Sequence, residues 1–158
     1  MHMDEVNFRE AAFDDAPGIL QLLTTRQEEA SALYGDHRKF DIEQGNQLLD
    51  EMLQNDQITV IVGELDDTII ATLTMHVLPR IRLGGYFAIF EDVVVASDKR
   101  GKEIGSQLMK YAISLCKQNS RIKKIKLGSR IEASKAHSFY TKLGFIHKEK
   151  LFQLSLVK

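Results

Sequence analysis

Residues 91–106 read EDVVVASDKRGKEIGS, and this stretch decides the fold. It predicts a buried strand, a short turn, a basic loop that contains glycine, and the start of a helix. The first amide groups of a helix lack intrahelical partners and carry partial positive charge, which suits an anionic phosphate group. Gly101 and Gly105 let the backbone approach such an anion, while Arg100 and Lys102 add full positive charges. A plain turn with solvated cations explains the same residues equally well, so this segment alone leaves both interpretations open.

The sequence on both sides of this stretch predicts a mixed α/β order. On the N-terminal side, hydrophobic periodicity and turn residues predict a strand around Phe8, a helix that begins after Asp14-Asp15, and an amphipathic helix within 42–53. A hairpin of Ile58–Leu65 and Thr68–Leu78 follows, and Pro79 is predicted to end its second strand. The next predicted element is a central strand over Tyr86–Val95. On the C-terminal side, they predict a helix over 101–118, a strand over 123–127, a helix over 133–143 that Gly144 ends, and one or two closing strands over 145–156.

Composition predicts a single domain over residues 1–158. The chain is 44% hydrophobic with a net charge of −1, which is enough for one core and lacks the basic excess of nucleic-acid-binding proteins. No apolar run approaches the roughly 18 residues that cross a bilayer, and Met1–Glu5 lacks the features of a secretory signal, so no membrane partner is expected. Cys116 stands alone and shares no metal-ligand spacing with His37 or His147, so neither a disulfide nor a metal is expected. These observations predict a cytoplasmic protein.

A second motif lies at residues 135–145, which read KAHSFYTKLGF. Taken alone, it predicts a helix that Gly144 terminates, with Ala136, Phe139 and Tyr140 on adjoining faces. This interpretation explains the glycine and the apolar side chains. It leaves Tyr140 as a core tyrosine whose hydroxyl group is satisfied locally.

Together the two motifs resemble those of the GNAT superfamily of N-acetyltransferases. The first resembles the acyl-CoA pyrophosphate loop, whose signature is Gln or Arg, two residues, Gly, one residue, then Gly or Ala. Arg100 and Gly105 fit this signature, whereas Glu103 stands where its first glycine is usual. The second resembles the signature of Ala, then Phe-Tyr, then Leu-Gly-Phe, although Ala133 stands where many members have Asn. The side chain of Glu103 predicts weaker acyl-CoA binding, while the backbone amide of residue 103 is retained. Ala133 implies that one pantetheine contact is missing or is supplied elsewhere.

The resemblance implies a fold and a co-substrate. The GNAT fold is a mixed, mostly antiparallel twisted sheet of six to seven strands, flanked by four helices and splayed between the fourth and fifth strands. The implied co-substrate is acetyl-CoA. Its predicted binding residues lie in three segments, namely Val93, Val94 and Val95 on the strand, Arg100, Gly101, Lys102, Glu103, Ile104, Gly105 and Ser106 in the loop, and Ala133, Ala136, Phe139 and Tyr140 on the later helix.

The resemblance also implies direct transfer of an acetyl group to a primary amine, which requires a base, oxyanion donors and a proton for the departing thiolate. Tyr140, with a reference pKa of ~10, is the predicted donor to the thiolate. A backbone amide near Val93 or Val94 is the predicted oxyanion donor. Glu91 is the first choice of base, because a carboxylate within an apolar strand is costly without a task, and ordered water is the alternative. Purely structural roles for Glu91 and Asp92 stay equally open.

No motif identifies the acceptor. The first hypothesis is a small-molecule amine, the second is an amine of a protein or peptide, and the third, of another class, is an acyl-CoA-binding module with little catalysis. Arg80 and Arg82 are candidates for binding an anionic group of the acceptor, and His76 and His137 are lower-ranked candidates for proton transfer. The oligomeric state stays open between a monomer and the homodimer that is common in the family.

Overall fold

Five strands and four helices form within residues 5–157, the part of the chain that the computed structural model describes. The first four residues, which bear on the expected lack of a secretory signal, lie outside it. The elements are β1 Asn7–Glu10, α1 Ala16–Tyr34, α2 Ile42–Leu53, β2 Ile58–Leu65, β3 Thr68–Arg80, β4 Gly85–Val95, α3 Ile104–Gln118, β5 Ile122–Leu127 and α4 Ser134–Lys142. The contacts divide the chain into two compact units, of which the first ends at Lys126 and the second begins at Leu127.

The sheet has the strand order β1-β2-β3-β4-β5, and all of it except Leu127, the last residue of β5, belongs to the first unit. Its first three pairings are antiparallel. Asp66 and Asp67 join β2 to β3 with φ angles of 48° and 58°, which match the type I′ turn of a two-residue hairpin. The predicted hairpin is therefore confirmed, and so are the mixed α/β class and the four helices. β5 follows the crossover helix α3, and the predicted splay between β4 and β5 stays a prediction.

The predicted count of six to seven strands is wrong, because the described sheet contains five. The closing strands expected over 145–156 do not form within the described chain, since residues 145–157 carry no strand. Apolar side chains in this segment face solvent, and Phe152 and Leu154 are 89% and 86% exposed. Alternation of apolar and polar residues is a property of one segment alone. A strand forms only if a neighbouring strand edge also pairs with its backbone N–H and C=O groups.

Pro79 does not end β3 as predicted, because the strand continues one residue beyond it. Val77 N donates to Gln57 O at 2.8 Å, so the amide groups at every second position of β3 face β2. Position 79 faces the same side but lies beyond the first residue of β2. The amide hydrogen that proline lacks therefore has no acceptor to lose, and Pro79 pairs with Tyr86 of β4.

Helices cover both faces of the sheet. On one face, α1 and α2 bury a core against β2 that contains Ala16, Ile19, Leu20, Leu49, Val60 and Val62. On the other face, α3 packs on the sheet, and Cys116 Sγ lies 3.3 Å from Met75 Sδ. Side chains alternate along a strand, and Thr74 pairs with Val60, so Thr74 faces α1 and α2 whereas Met75 faces α3. The same alternation decides which face of the paired β4 carries each side chain.

α1 begins directly after Asp15, close to the predicted start, but this aspartate does not cap it. Its carboxylate instead accepts a hydrogen bond from Ala12 N at 2.7 Å and pairs with Arg9 at 2.6 Å. Arg9 also reaches Glu64 on β2 at 2.7 Å. The hydrogen bond from Arg9 lowers the pKa of the Asp15 carboxyl group below its usual range. The acidic residue therefore ties β1 to the start of the helix, and Arg9 extends the link to β2.

Candidate functional site

A bulge interrupts β4 where the sequence predicts the reacting groups. The register with β3 shifts between Thr72 and Thr74, so Asp92 and Val93 together oppose a single residue of β3. Asp92 has a φ of 49°, in the left-handed region. A bulge takes the extra residue out of the ladder of backbone hydrogen bonds. One residue of β4 is therefore left outside the pairing with β3, at the point where the oxyanion donor is predicted.

Three titratable side chains cluster at the bulge. Glu91 pairs with Thr74 and so lies on the face that α1 and α2 cover. Its side chain is 60% exposed, and its Oε2 lies 3.9 Å from His76 Nε2. Asp92 also reaches the surface, yet desolvation raises the pKa of its carboxyl group, the Glu91 carboxylate raises it further, and His76 lowers it. Glu91 is therefore the open carboxylate of the cluster, and Asp92 is the one whose ionisation is opposed.

The glycine loop leads from β4 into α3, which begins at Ile104 rather than at Gly101 as predicted. Gly101 and Glu103 have φ angles of 76° and 62°, so residues 101–103 cannot join the helix. Within the described residues, no acceptor pairs with the amide groups of residues 101–106. Nothing lies within 4 Å of the point where a side chain would leave Gly101. A row of amide groups at an open helix start fits a phosphate group.

Glu103 has a backbone conformation that is more typical of glycine. It is the residue that flanks the first turn of α3, and its side chain makes no capping hydrogen bond. Its left-handed backbone is the conformation that glycine adopts without steric cost. The fold therefore imposes this conformation on a glutamate at the position where the family signature has glycine.

Arg100 has two partners, although its predicted role is that of a cation facing a phosphate. Its Nε donates to Val95 O at 3.0 Å, and its Nη2 donates to Glu29 Oε2 at 2.9 Å. Glu29 lies on α1 and is 71 positions away along the chain. The contact joins α1, the end of β4 and the loop. Sequence reasoning missed Glu29, because no local pattern marks a partner so distant along the chain.

A cleft of about 430 Å³ lies beside this loop, on the side of α1. Gln21 and Thr25 of α1 line it on one side, Asp66 of the β2–β3 turn lines it on another, and Val95 and Arg100 complete the wall. Polar, apolar and charged groups all contribute. The loop therefore has open space next to it as well as amide groups without partners.

The second unit contains the remaining predicted residues. Ala133 is the residue directly before α4, and Ala136, Phe139 and Tyr140 are half-buried on the helix. The ring centroids of Phe139 and Tyr140 are 5.3 Å apart. Gly144 follows the helix with a φ of 97°, as its predicted role as terminator requires. The structure thus brings Glu91, the bulge and the loop together in the first unit, and Ala133 and the three predicted residues of α4 together in the second.

The remaining candidates have local explanations. His137 Nε2 lies 2.7 Å from Arg130 O, so this imidazole is engaged with the backbone. Cys116 is buried, and desolvation raises the pKa of its thiol to about 11, as expected for an inert core cysteine. Across residues 5–157, no group of side chains could hold a metal ion. None of the helices described there combines the length and hydropathy needed to cross a bilayer.

Comparison with known proteins gives one family. The model of the acetyltransferase (GNAT) family matches residues 19–145. A glucosamine-6-phosphate N-acetyltransferase from Arabidopsis thaliana is 22% identical with a TM-score of 0.77, covering 97% of this chain and 99% of its own. An aminoglycoside acetyltransferase from an uncultured soil metagenomic sample is 19% identical with a TM-score of 0.74, covering 97% and 96%. A transcriptional regulator from Bacillus halodurans is 23% identical with a TM-score of 0.82, covering 96% and 100%. These three structures share the fold.

Proposed function

Because this chain belongs to the acetyltransferase (GNAT) family, we propose that it moves an acetyl group from acetyl-CoA to the primary amine of a small molecule. The observation that carries this proposal is the continuous segment from Glu91 to Ser106. There an open carboxylate, a bulge that takes one residue out of the pairing with β3, and a row of amide groups without partners follow one another. A base, an oxyanion donor and a phosphate site are the three functions that such a transfer needs.

The loop fits the diphosphate of coenzyme A. The amide groups of residues 101–106 supply donors, and Lys102 adds a positive charge. Arg100 already holds Val95 O and Glu29, so its contribution to a phosphate includes loosening one of these contacts. Val93, Val94 and Val95 then hold the pantetheine arm through backbone groups near the bulge. Acetyl-CoA supplies the activated thioester.

The chain's residues complete the transfer. Glu91 accepts the proton of the attacking amine, whose nitrogen forms a bond to the thioester carbonyl carbon. A backbone amide near Val93 or Val94 donates to the oxyanion, and collapse of this tetrahedral intermediate breaks the carbon–sulfur bond. Tyr140 donates its phenolic proton to the departing thiolate and is reprotonated from solvent. We expect this enzyme to act in the cytoplasm as one domain over residues 1–158.

The test of the base is Glu91→Gln. We expect kcat to fall at least tenfold, because general base catalysis contributes about 10²–10⁴ in rate. The pH profile of kcat/KM should also shift, because the carboxylate that serves as base is lost. Glu28→Gln on the exposed side of α1 is the matched control. Unchanged kinetics in Glu91→Gln would transfer the role of base to ordered water.

The test of the acid is Tyr140→Phe. We expect acetyl transfer to slow while the Kd for coenzyme A changes little, because only the hydroxyl group is lost. Single-turnover rates and calorimetry separate these two effects. Equal rates in the variant and the parent protein would remove Tyr140 from the mechanism.

Two other functions predict different results in the same assays. Acetylation of a protein or peptide predicts turnover with peptides in preference to small amines. An acyl-CoA-binding module, which the departures at Glu103 and Ala133 favour, predicts binding of acetyl-CoA without thiol release for any amine. Calorimetry with acetyl-CoA, followed by a thiol-release screen over amines and peptides, distinguishes the three. Mass measurement at the working concentration decides between monomer and homodimer.

A further inference from the structure

A row of same-face side chains runs along β4 away from the bulge. The register pairs Thr74 with Glu91, His76 with Ile89, and Leu78 with Phe87. Glu91, Ile89 and Phe87 therefore point to one face, on the side of α1 and α2. Glu91 and Phe87 are four positions apart, a distance of about 13 Å along a strand. The row begins with a carboxylate, continues with an aliphatic side chain and ends with an aromatic ring.

Two cations converge on the ring at the far end of this row. Arg80 Cζ lies 5.8 Å from the centroid of Phe87, and Lys126 Nζ lies 5.6 Å from the same centroid. Arg80 comes from the end of β3 and Lys126 from β5. A cation near the face of a ring is attracted by its quadrupole, which holds both charges close to the ring. Arg80 therefore brings a positive charge to the far end of the row.

The two arginines of this region differ in their surroundings. Arg80 packs on Phe87 and is half-buried, whereas Arg82 is exposed on the turn that follows β3. Within the described chain, no carboxylate forms an ion pair with Arg80. Arg121, a further cation nearby, donates to the Tyr86 hydroxyl group at 3.0 Å and stacks on that ring. Tyr86 is adjacent to Phe87 on β4 and so points to the opposite face.

We propose that Arg80 binds an anionic group of the acceptor, so that the preferred substrates are amines with a carboxylate or phosphate at the far end of an apolar chain. This inference rests on the proposed acetyl transfer. The amine lies at Glu91, the apolar chain follows Ile89 and Leu78, and the anion lies at Arg80 beside Phe87. Leu78 is 38% exposed, which leaves apolar surface for such a chain. Opposite charges at the two ends of the row fix the direction of the substrate.

The experiment compares three acceptors of equal length, namely ω-aminooctanoate, octylamine and diaminooctane, with acetyl-CoA saturating. We expect kcat/KM to be about tenfold higher for ω-aminooctanoate than for octylamine, and lowest for diaminooctane, whose second cation meets Arg80. Arg80→Gln should lower the ratio of kcat/KM for ω-aminooctanoate to that for octylamine about tenfold. Arg80→Lys should retain most of this ratio, and Arg82→Gln is the matched control that should leave the ratio unchanged.

The outcomes separate this inference from the enzyme assignment. Turnover of all three amines with equal kcat/KM, or the same ratio in Arg80→Gln as in the parent protein, overturns the anionic subsite while acetyl transfer stands. A loss of the ratio in Arg82→Gln but not in Arg80→Gln also overturns it. Failure of every amine despite acetyl-CoA binding overturns the proposed transfer and, with it, this subsite. Circular dichroism of each variant confirms that the comparison concerns folded protein.

Discussion

Replacing Glu103 by glycine tests whether the loop conformation or the carboxylate limits this site. Glu103 has φ 62° and ψ 6° and makes no capping hydrogen bond. A side chain in this left-handed region costs about 1–2 kcal/mol. Glycine removes that cost but adds about 0.5–1 kcal/mol of backbone entropy in the unfolded chain. The carboxylate also gains about 0.3–1 kcal/mol from the helix start, which any neutral residue loses.

Glu103→Gln is therefore the reference for the backbone effect, because it removes the charge and keeps the side chain. We expect Glu103→Gly to be more stable than Glu103→Gln by about 0.5–1 kcal/mol, the relief of strain less the entropy of glycine. For a chain of this length, that difference raises Tm by about 1–4 °C. Differential scanning calorimetry measures it. Gly101→Ala, at φ 76° in open space, is the opposite control and should lower Tm.

Binding separates the charge from the backbone. A unit charge about 4 Å from a phosphate charge in water contributes about 1 kcal/mol, or a factor of about five in Kd. We expect both variants to bind acetyl-CoA about fivefold more tightly than the parent protein, with a smaller gain at high salt. Titration calorimetry at two ionic strengths measures this. Equal Tm values for the glycine and glutamine variants would refute the account of strain, and equal Kd values for glutamine and glutamate would show that the carboxylate points away from the diphosphate.

Two further substitutions test contacts that tie the first unit together. Asp15→Asn removes a carboxylate whose pKa is lowered in the folded protein by its partner Arg9. The contribution of this carboxylate to stability is therefore present above the unfolded-state pKa of about 3.9 and is lost as pH falls through the lower folded-state pKa. Urea unfolding should show that the variant is less stable by about 1–3 kcal/mol at neutral pH. Its free energy of unfolding should also fall less steeply than that of the parent protein as pH decreases into the acid range, and equal slopes would contradict this account. Glu29→Gln removes the ion pair with Arg100 and should cost no more than about 1 kcal/mol, because the pair is partly exposed. The guanidinium of Arg100 that this substitution frees should lower the Kd for acetyl-CoA, whereas the control Glu28→Gln should leave the Kd unchanged. Equal Kd values in the two variants would show that Glu29 does not compete with acetyl-CoA for Arg100.

The elements that the sequence predicts best are those set by neighbouring residues. The hairpin at Asp66-Asp67 follows from turn chemistry, and the end of α4 at Gly144 follows from capping. Pro79 shows where local rules mislead. A proline breaks a strand only where a neighbouring strand would accept a hydrogen bond from its amide group. The first residue of β2, Ile58, pairs with His76, so no residue of β2 lies opposite Pro79. The missing strands of 145–157 have the same cause, because a strand depends on an edge that the segment's own pattern does not describe.

The candidate site divides along the same line. Residues 91–106 are contiguous, so their order alone gives a strand, a loop and a helix start, and the structure adds a bulge at Asp92 and a strained Glu103. The contact of Arg100 with Glu29 and the convergence of Arg80 and Lys126 on Phe87 depend instead on register and on a crossover between strands. The chemistry that a family shares depends on groups within one contiguous segment, here residues 91–106. Selection among acceptors needs only side chains that the sheet brings together, so it can change by single substitutions that leave residues 91–106 intact. Sequence motifs therefore predict the reaction of such a chain better than its substrate, and the Arg80→Gln variant tests whether a single position selects the acceptor.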